Sequence, residues 1–352
     1  MEKNILFREG DYSIQKQQGI PEEAFEFLDS IAWGNEGALY EHKNTKEHIR
    51  LLYNPMLISI NEGDKIQGTA AFCNTNVTVN GSTFNCYYIR YFASSKEIRG
   101  KGVMKHFSKK VMELIRGDEK EKTIYFACIE SANKSSYRVV ESAGYTPIGR
   151  IKTLGFSRYF PKASKNLIQV TTDSDKQQIM DLLKEQYQHH CLVQFNAIFL
   201  QDNYYMIKEN DEIVAACQYH QAHWVINAMK GFMGKIIMNV VPHIPIINQL
   251  FNPTRFEFLA FEGIYFKPGY EHKLYELFEG LLTKEKLKSG MFWLGETCPI
   301  REKILQKGQL GLIHSFIKDS DVIIMGSYKN MSDAEIKQVE NSPLYGSAFD
   351  FV

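Results

Sequence analysis

The sequence predicts a mixed α/β (α+β) fold laid down twice in one chain, each copy a mixed, mainly antiparallel sheet flanked by helices. Three observations predict it. Period-two apolar runs and amphipathic runs of helical period alternate over residues 1–160 in the order strand, strand, strand, helix, strand, helix, strand. After a polar, proline-containing stretch at 159–166 (YFPKASKN) the same order returns, and two glycine-closed helix ends, Gly144 and Gly308, lie about 164 residues apart, a repeat at domain length. Finally, 352 residues with 44% hydrophobic and 23% charged content can bury a sizeable core in each of two copies.

Residues 4–8 read as a first strand. Pro21, Glu22 and Glu23 open a helix running to about Ala32, with proline in the first turn and carboxylates at the positive end of the dipole. Residues 55–60 and 65–75 are strands joined by Asn61-Glu62-Gly63-Asp64. Residues 77–79 and 83–92 flank Asn80-Gly81, the pair a type I′ hairpin requires, and the second run ends at Ser94 and Ser95. Beyond Arg99-Gly100-Lys101-Gly102, the residues Val103, Phe107, Val111 and Leu114 recur at helical spacing with lysines between them. Residues 123–129 form the next strand, 133–143 a helix with Gly144 at C′, and 145–156 a last strand. In the second copy, strands fall at 167–170, 204–208, 213–219, 256–266 and 291–294. Its helices fall at 174–189, 271–282 and 300–307, the last closed by Gly308. The expected organisation is therefore a first domain over 1–160, a linker at 161–166, a second domain over 167–340 and a tail at 341–352. That tail (SPLYGSAFDFV from 342) is apolar for a terminus, which suits burial in a cleft.

Composition excludes several functions. With 41 basic and 41 acidic residues the chain has no net charge, and its lysines lie on solvated helix faces, so nucleic acid is not an expected partner. Six cysteines are scattered without a C-x-x-C pair, which points to free buried thiols in a reducing compartment. The start, MEKNILFREG, has no apolar h-region, and a cytoplasmic location is expected. His189, His190, Cys191, His220 and His223 lack the spacing of a zinc site, so no metal is expected. Residues 224–251 form the most apolar long run, but Lys230, Lys235, Pro242 and Pro245 interrupt it and argue against a membrane span. It reads as a core helix plus loop, or as an apolar cover over an acyl or substrate pocket.

Strand, glycine loop, helix is the order that physics ties to anion binding. Glycines allow φ above zero and close approach, and the first-turn amides of the helix point at the ligand. The loop fits neither the dinucleotide pattern G-x-G-x-x-G, because Lys105 stands at the third glycine, nor the P-loop. A plain tight turn is the alternative reading.

The run 97–103 (EIRGKGV) resembles the pyrophosphate loop of the GNAT superfamily of N-acetyltransferases, Gln/Arg-x-x-Gly-x-Gly/Ala after a central strand. Gly100 and Gly102 match, while Glu97 stands where Gln or Arg is usual. A second run in the right order resembles that family's Asn-x-x-Ala-x-x-x-Tyr-x-x-x-Gly-Phe through Asn133, Ser136, Gly144 and Tyr145, with Val140 in the place of the acid tyrosine. The resemblance implies two GNAT-like domains, the second degenerate, since Lys267-Pro268-Gly269-Tyr270-Glu271 replaces its loop. It implies acetyl-CoA, or another acyl-CoA, as cosubstrate, held by Ile98, Arg99, Gly100, Lys101, Gly102, Val103 and Asn133. The thioester would lie beside Phe92, Ala93 and Ser94, where a main-chain amide stabilises the oxyanion as an amine attacks. For proton transfer Tyr137 is a candidate acid or else core packing, and Glu130 a candidate base or else a helix N-terminal carboxylate. The expected activity is N-acyl transfer, most simply of acetyl, to a primary amine on a small molecule or peptide. A CoA-binding sensor without chemistry is the alternative, motivated by Val140 and Glu97; a partner-binding module is a third.

Overall fold

A computed structural model describes residues 3–34, 37–307, 310–311, 314 and 321–351. The first half opens with β1 (Asn4–Glu9), β2 (Tyr12–Gln18), α1 (Glu22–Asp29), β3 (Trp33–Gly34), β4 (Ala38–His42) and α2 (Thr45–Arg50). An antiparallel meander follows, β5 (Pro55–Glu62), β6 (Lys65–Val79) and β7 (Ser82–Ser94). Then come α3 (Val103–Asp118), β8 (Thr123–Glu130), α4 (Lys134–Ser142) and β9 (Thr146–Ser157). The second half contains β10 (Ile168–Gln169), α5 (Asp173–Gln186), β11 (Tyr204–Glu209), β12 (Glu212–Met229), α6 (Gly231–Asn239) and α7 (Pro245–Leu250). It continues with β13 (Phe256–Phe266), α8 (Glu271–Glu285), β14 (Ser289–Gly295), α9 (Pro299–Lys307), β15 (Asp321–Lys329) and α10 (Asp333–Asn341).

Local chemistry explains most of these elements. Asn80 and Gly81 take φ of 46° and 81°, as the β6–β7 hairpin requires. α3 buries Phe107, Val111 and Met112 and turns its lysines outward. Each such side chain contributes roughly 1.5–3 kcal/mol of burial. Asn133 caps α4, and Ser332 with Glu335 forms a capping box on α10.

The described strands join into one sheet of order β1-β2-β5-β6-β7-β8-β15-β9-β14-β13-β12-β11-β10. β7–β8 and β13–β14 are its parallel pairs. The order is palindromic about the β15–β9 junction. On each side a long central strand pairs in parallel with the strand after its helix, β7 with β8 and β13 with β14. The two halves interlock there, because β15, late in the chain, lies between β8 and β9 of the first half. β4 also crosses over, pairing with the far end of β12.

The sequence expectations need several corrections. The run 77–79 is the end of a continuous β6, while β2, β15 and α10 had no expected counterpart. Residues 224–229, read within a core helix and loop, belong to β12, which runs beyond the end of β13 after Trp224 and pairs there with β4. Only the rest of that run is helical, as α6 and α7. Gly308 lies outside the described residues.

Candidate active site

β7 and β8 pair from Asn85↔Thr123 to Ile89↔Ala127, and there the parallel ladder stops. A bulge in β7 coincides with the parting: Ala71 of β6 faces Arg90 but Thr69 faces Ala93, so Tyr91 and Phe92 together oppose Ala70, one residue more than the partner strand supplies. Tyr91 takes φ of 48°, an uncommon conformation for a bulky residue. The Thr69 hydroxyl donates to the Tyr91 carbonyl at 3.0 Å and braces the bulge. β8 meanwhile keeps its ladder to β15 as far as Val322↔Glu130. A slot therefore opens between 90–94 and 128–130.

Beside the slot's α3 side lies the glycine loop. Gly100 and Gly102 sit at φ of 79° and 80° with nothing within 4 Å of a built Cβ, so conformation and not space demands glycine there. No side chain caps α3, and its first turn carries no acid. The His106 amide donates to the Gly102 carbonyl at 3.0 Å. The amides of Val103, Met104 and Lys105, one turn earlier, have no helical carbonyl to reach. The Lys101 amide is engaged, donating to the Ile98 carbonyl at 3.2 Å, and Arg99 braces the loop by donating to the Ser94 carbonyl at 2.9 Å. Glu97 is exposed and ion-paired to Lys65 at 3.1 Å. Its own amide and Lys65 hold its pKa down to about 2. Orphan amides and the helix dipole, with Arg99, Lys101 and Lys105 in the loop and first turn, are features that favour an anion.

The slot connects two hollows. Under α3 and α4 lies a small apolar one of about 50 Å³; on the opposite face, between the halves, lies a cavity of about 610 Å³. Ile89, Phe92, Ala127 and Val140 line both. The larger volume suits a small organic ligand or chain. Its wall is β4 with the extended β12, where Tyr40 stacks on Trp224 at 4.5 Å and on His42 at 5.4 Å. Ile237, Val241 and Ile247 of the α6–α7 segment roof it, and Phe349 and Asp350 of the tail reach it from below.

Two carboxylates face this cavity near the slot. Glu130 accepts the Tyr40 hydroxyl at 2.6 Å. Burial and the neighbouring carboxylate push the Tyr40 phenol well above its ordinary range, so it stays a donor. Asp350 pairs with Arg90, Oδ1 to Nε 3.1 Å, and accepts the Tyr88 hydroxyl, which also lies 3.0 Å from Cys128 Sγ. The guanidinium stacks over Tyr88 at 4.3 Å and Phe349 at 5.1 Å. Burial raises the Asp350 pKa, with Arg90 opposing.

Of the residues expected from sequence, Phe92 lines both hollows, and Glu130 and Asn133 line the larger one. The Asn133 side chain also accepts the Ser136 amide at 3.1 Å as the α4 cap. Ala93 is buried at the slot's edge, and Ile98 is buried beneath the loop, giving its carbonyl to Lys101. Tyr137 is half-buried in the layer under α3 and α4 and is not among the cavity's lining residues. Sequence reasoning missed Tyr40, Arg90 and Asp350. For the last two a signal existed: a lone charge in the apolar strand YYIRYF and a lone acid in the apolar tail, each requiring a partner.

The second half repeats the device in closed form. β13 bulges at Gly263, φ 56°, but Tyr204 and Tyr187 donate to the Gly263 and Ile264 carbonyls at 2.6 and 2.9 Å. Leu344, Tyr345 and Gly346 of the tail line what remains, about 10 Å³. At its loop the Gly269 amide donates to the Glu271 carboxylate at 3.2 Å, so an acid of the protein stands where an anion would bind. Among the described residues no three His, Cys, Asp or Glu side chains gather as a metal site.

Residues 22–148 match the family described as an acetyltransferase (GNAT) domain. Solved structures of Saccharomyces cerevisiae N-myristoyltransferase with bound myristoyl-CoA align with TM-scores of 0.61 and 0.59 at 10% identity. The alignments cover 93% and 94% of this chain and 85% of each of those chains. At that identity the likeness is one of fold. No curated protein sequence matches the chain.

Proposed function

We propose, from the premise that the first half of this chain carries a GNAT domain at residues 22–148, that the protein is an acyl-CoA-dependent N-acyltransferase. The observation that carries this reading is the slot at Tyr91–Phe92, which joins the uncapped start of α3 to a cavity bearing two carboxylates.

In this reading the diphosphate of the cosubstrate rests on the amides around Gly100 and the first turn of α3. The pantetheine arm enters the slot, and the thioester carbonyl meets the main chain at the bulge, where an amide stabilises the developing oxyanion. The amine approaches from the large cavity and forms the new C–N bond as the C–S bond breaks. Glu130 or Asp350 takes the proton from the attacking nitrogen. Val140 lines the slot without a proton to give, so the amine's proton, relayed through the carboxylate, neutralises the leaving thiolate. Holding amine and thioester together supplies much of the acceleration.

Acetyl is the simplest group transferred, but a cavity of about 610 Å³ lined by apolar side chains suits a longer acyl chain or an amine with an apolar body. The fold's occurrence in N-myristoyltransferase with bound myristoyl-CoA supports the longer chain. The test is thiol release from a series running from acetyl-CoA to palmitoyl-CoA with a panel of amines, beside thermal protection by each thioester. Protection with release supports the enzyme. Protection without any release leaves a CoA-binding sensor, and neither response defeats both readings.

A further inference from the structure

Between β12 and β13 the chain lays α6, a short 3-10 turn (Val241–His243) and α7 across the large cavity. Ile237, Val241 and Ile247 face inward and line it. A segment that buries one apolar face ordinarily shows water a polar one. This one shows a mixed one: Phe232 is 78% exposed, Val240 46% and Ile244 36%, beside exposed Lys235, Asn239 and His243. From Lys230 to Leu250 there is no acidic residue, and Lys230 and Lys235 give the segment a positive charge. No helix among the described residues is long and apolar enough to cross a membrane, so the segment suits a surface and not a span.

Apolar side chains outside, apolar side chains inside and lysines alongside are the composition of an interfacial element over a chamber for an amphiphile. We propose that the α6–α7 segment docks on an anionic lipid surface, and that an amphiphilic substrate passes beneath it from the bilayer into the cavity. A second copy of this chain would cover the same apolar side chains, but the segment has no acids to meet its own lysines, whereas anionic headgroups do. Docking stands apart from the acyl-transfer reading; the route into the cavity rests on that reading.

The experiment is co-sedimentation of the intact protein with phosphatidylcholine vesicles, with and without phosphatidylglycerol, at low and high salt. Phe232→Glu combined with Ile244→Glu, and Lys235→Glu, are compared; none of these residues lines the cavity. The native chain is expected to bind the anionic vesicles, less tightly in salt, and the double variant to lose roughly tenfold or more in partition. Melting and thiol release with a soluble amine should be unchanged in the variants, while transfer to a long-chain amine carried in the vesicles falls. Absence of vesicle binding, or binding indifferent to these replacements, overturns the proposal. So does a dimer that Phe232→Glu dissociates in a chain that ignores vesicles. Vesicle binding without thiol release from any acyl-CoA keeps the docking and removes the enzyme.

Discussion

At the scale of single residues, the proposed chemistry rests on two glycines and a few buried ionisable groups. Replacing Gly100 or Gly102 by alanine forces an L side chain to φ near 80° and costs about 1 kcal/mol, while turning away the amides that would meet a diphosphate. We expect the free protein to melt within a few degrees of the original and to lose its thermal protection by acyl-CoA. Glu130→Gln keeps the shape of the Tyr40 contact but cannot accept a proton. We expect it to lower turnover by roughly a hundredfold or more with thioester binding retained, read by initial rates against protection. Asp350→Asn is a less clean probe, because it leaves the Arg90 guanidinium without its counter-charge. Stability should also depend on two histidines. Burial holds the pKa of His48 and of His190 at about 4, below the ordinary value near 6.5. The unfolded chain therefore binds more protons between those values. Stability is full above pH about 6.5 and falls by up to roughly 3 kcal/mol per histidine as pH drops toward 4. Urea midpoints across that window check this, and His190→Gln should flatten the slope.

Among elements, the tail has the farthest reach. Leu344 to Gly346 cross β9 and β14 at two glycines: a Cβ on Gly149 would lie 2.9 Å from Leu344 Cδ1, and one on Gly295 2.6 Å from the Leu344 carbonyl oxygen. A side-chain methyl can shift, but a backbone oxygen held in this layer has little freedom. Gly295→Ala is expected to lift the tail at a cost of about 1–3 kcal/mol and to withdraw Asp350 from Arg90. Melting temperature and turnover should fall together, whereas Leu344→Ala should lower stability by about 3 kcal/mol with a smaller loss of turnover. The bulged strand β7, by contrast, owes its slot to two partners that do not agree in register, β6 across a bulge and β8 across a ladder that ends early.

For the whole molecule, the junction of the halves governs folding. We propose that residues 161–166 mark a boundary of repetition and not of independent folding. β15 pairs along the full length of β8 and along β9, so residues 1–160 alone would expose two long strand edges where it belongs. We expect that fragment to be insoluble when expressed alone and to recover when residues 167–352 are co-expressed. A soluble, cooperatively melting 1–160 fragment is the contrary result. The same junction makes the cavity, since its walls come from β4, β12, the slot and the tail.

The sequence by itself determined what depends on a few neighbouring residues. Asn80-Gly81 specifies a hairpin, the spacing Val103, Phe107, Val111 a helix, and Gly100 with Gly102 a loop of positive φ, because backbone conformation and side-chain period are local properties. It also carried the repeat. Only the tertiary structure decided that β15 would enter the other half's sheet, that Tyr40 would meet Glu130, and that Arg90 and Asp350, so far apart in the chain, would neutralise one another. Those pairings are chosen by which partner removes the most edge and charge from water once the chain is compact, and that choice compares distant segments no window along the sequence contains.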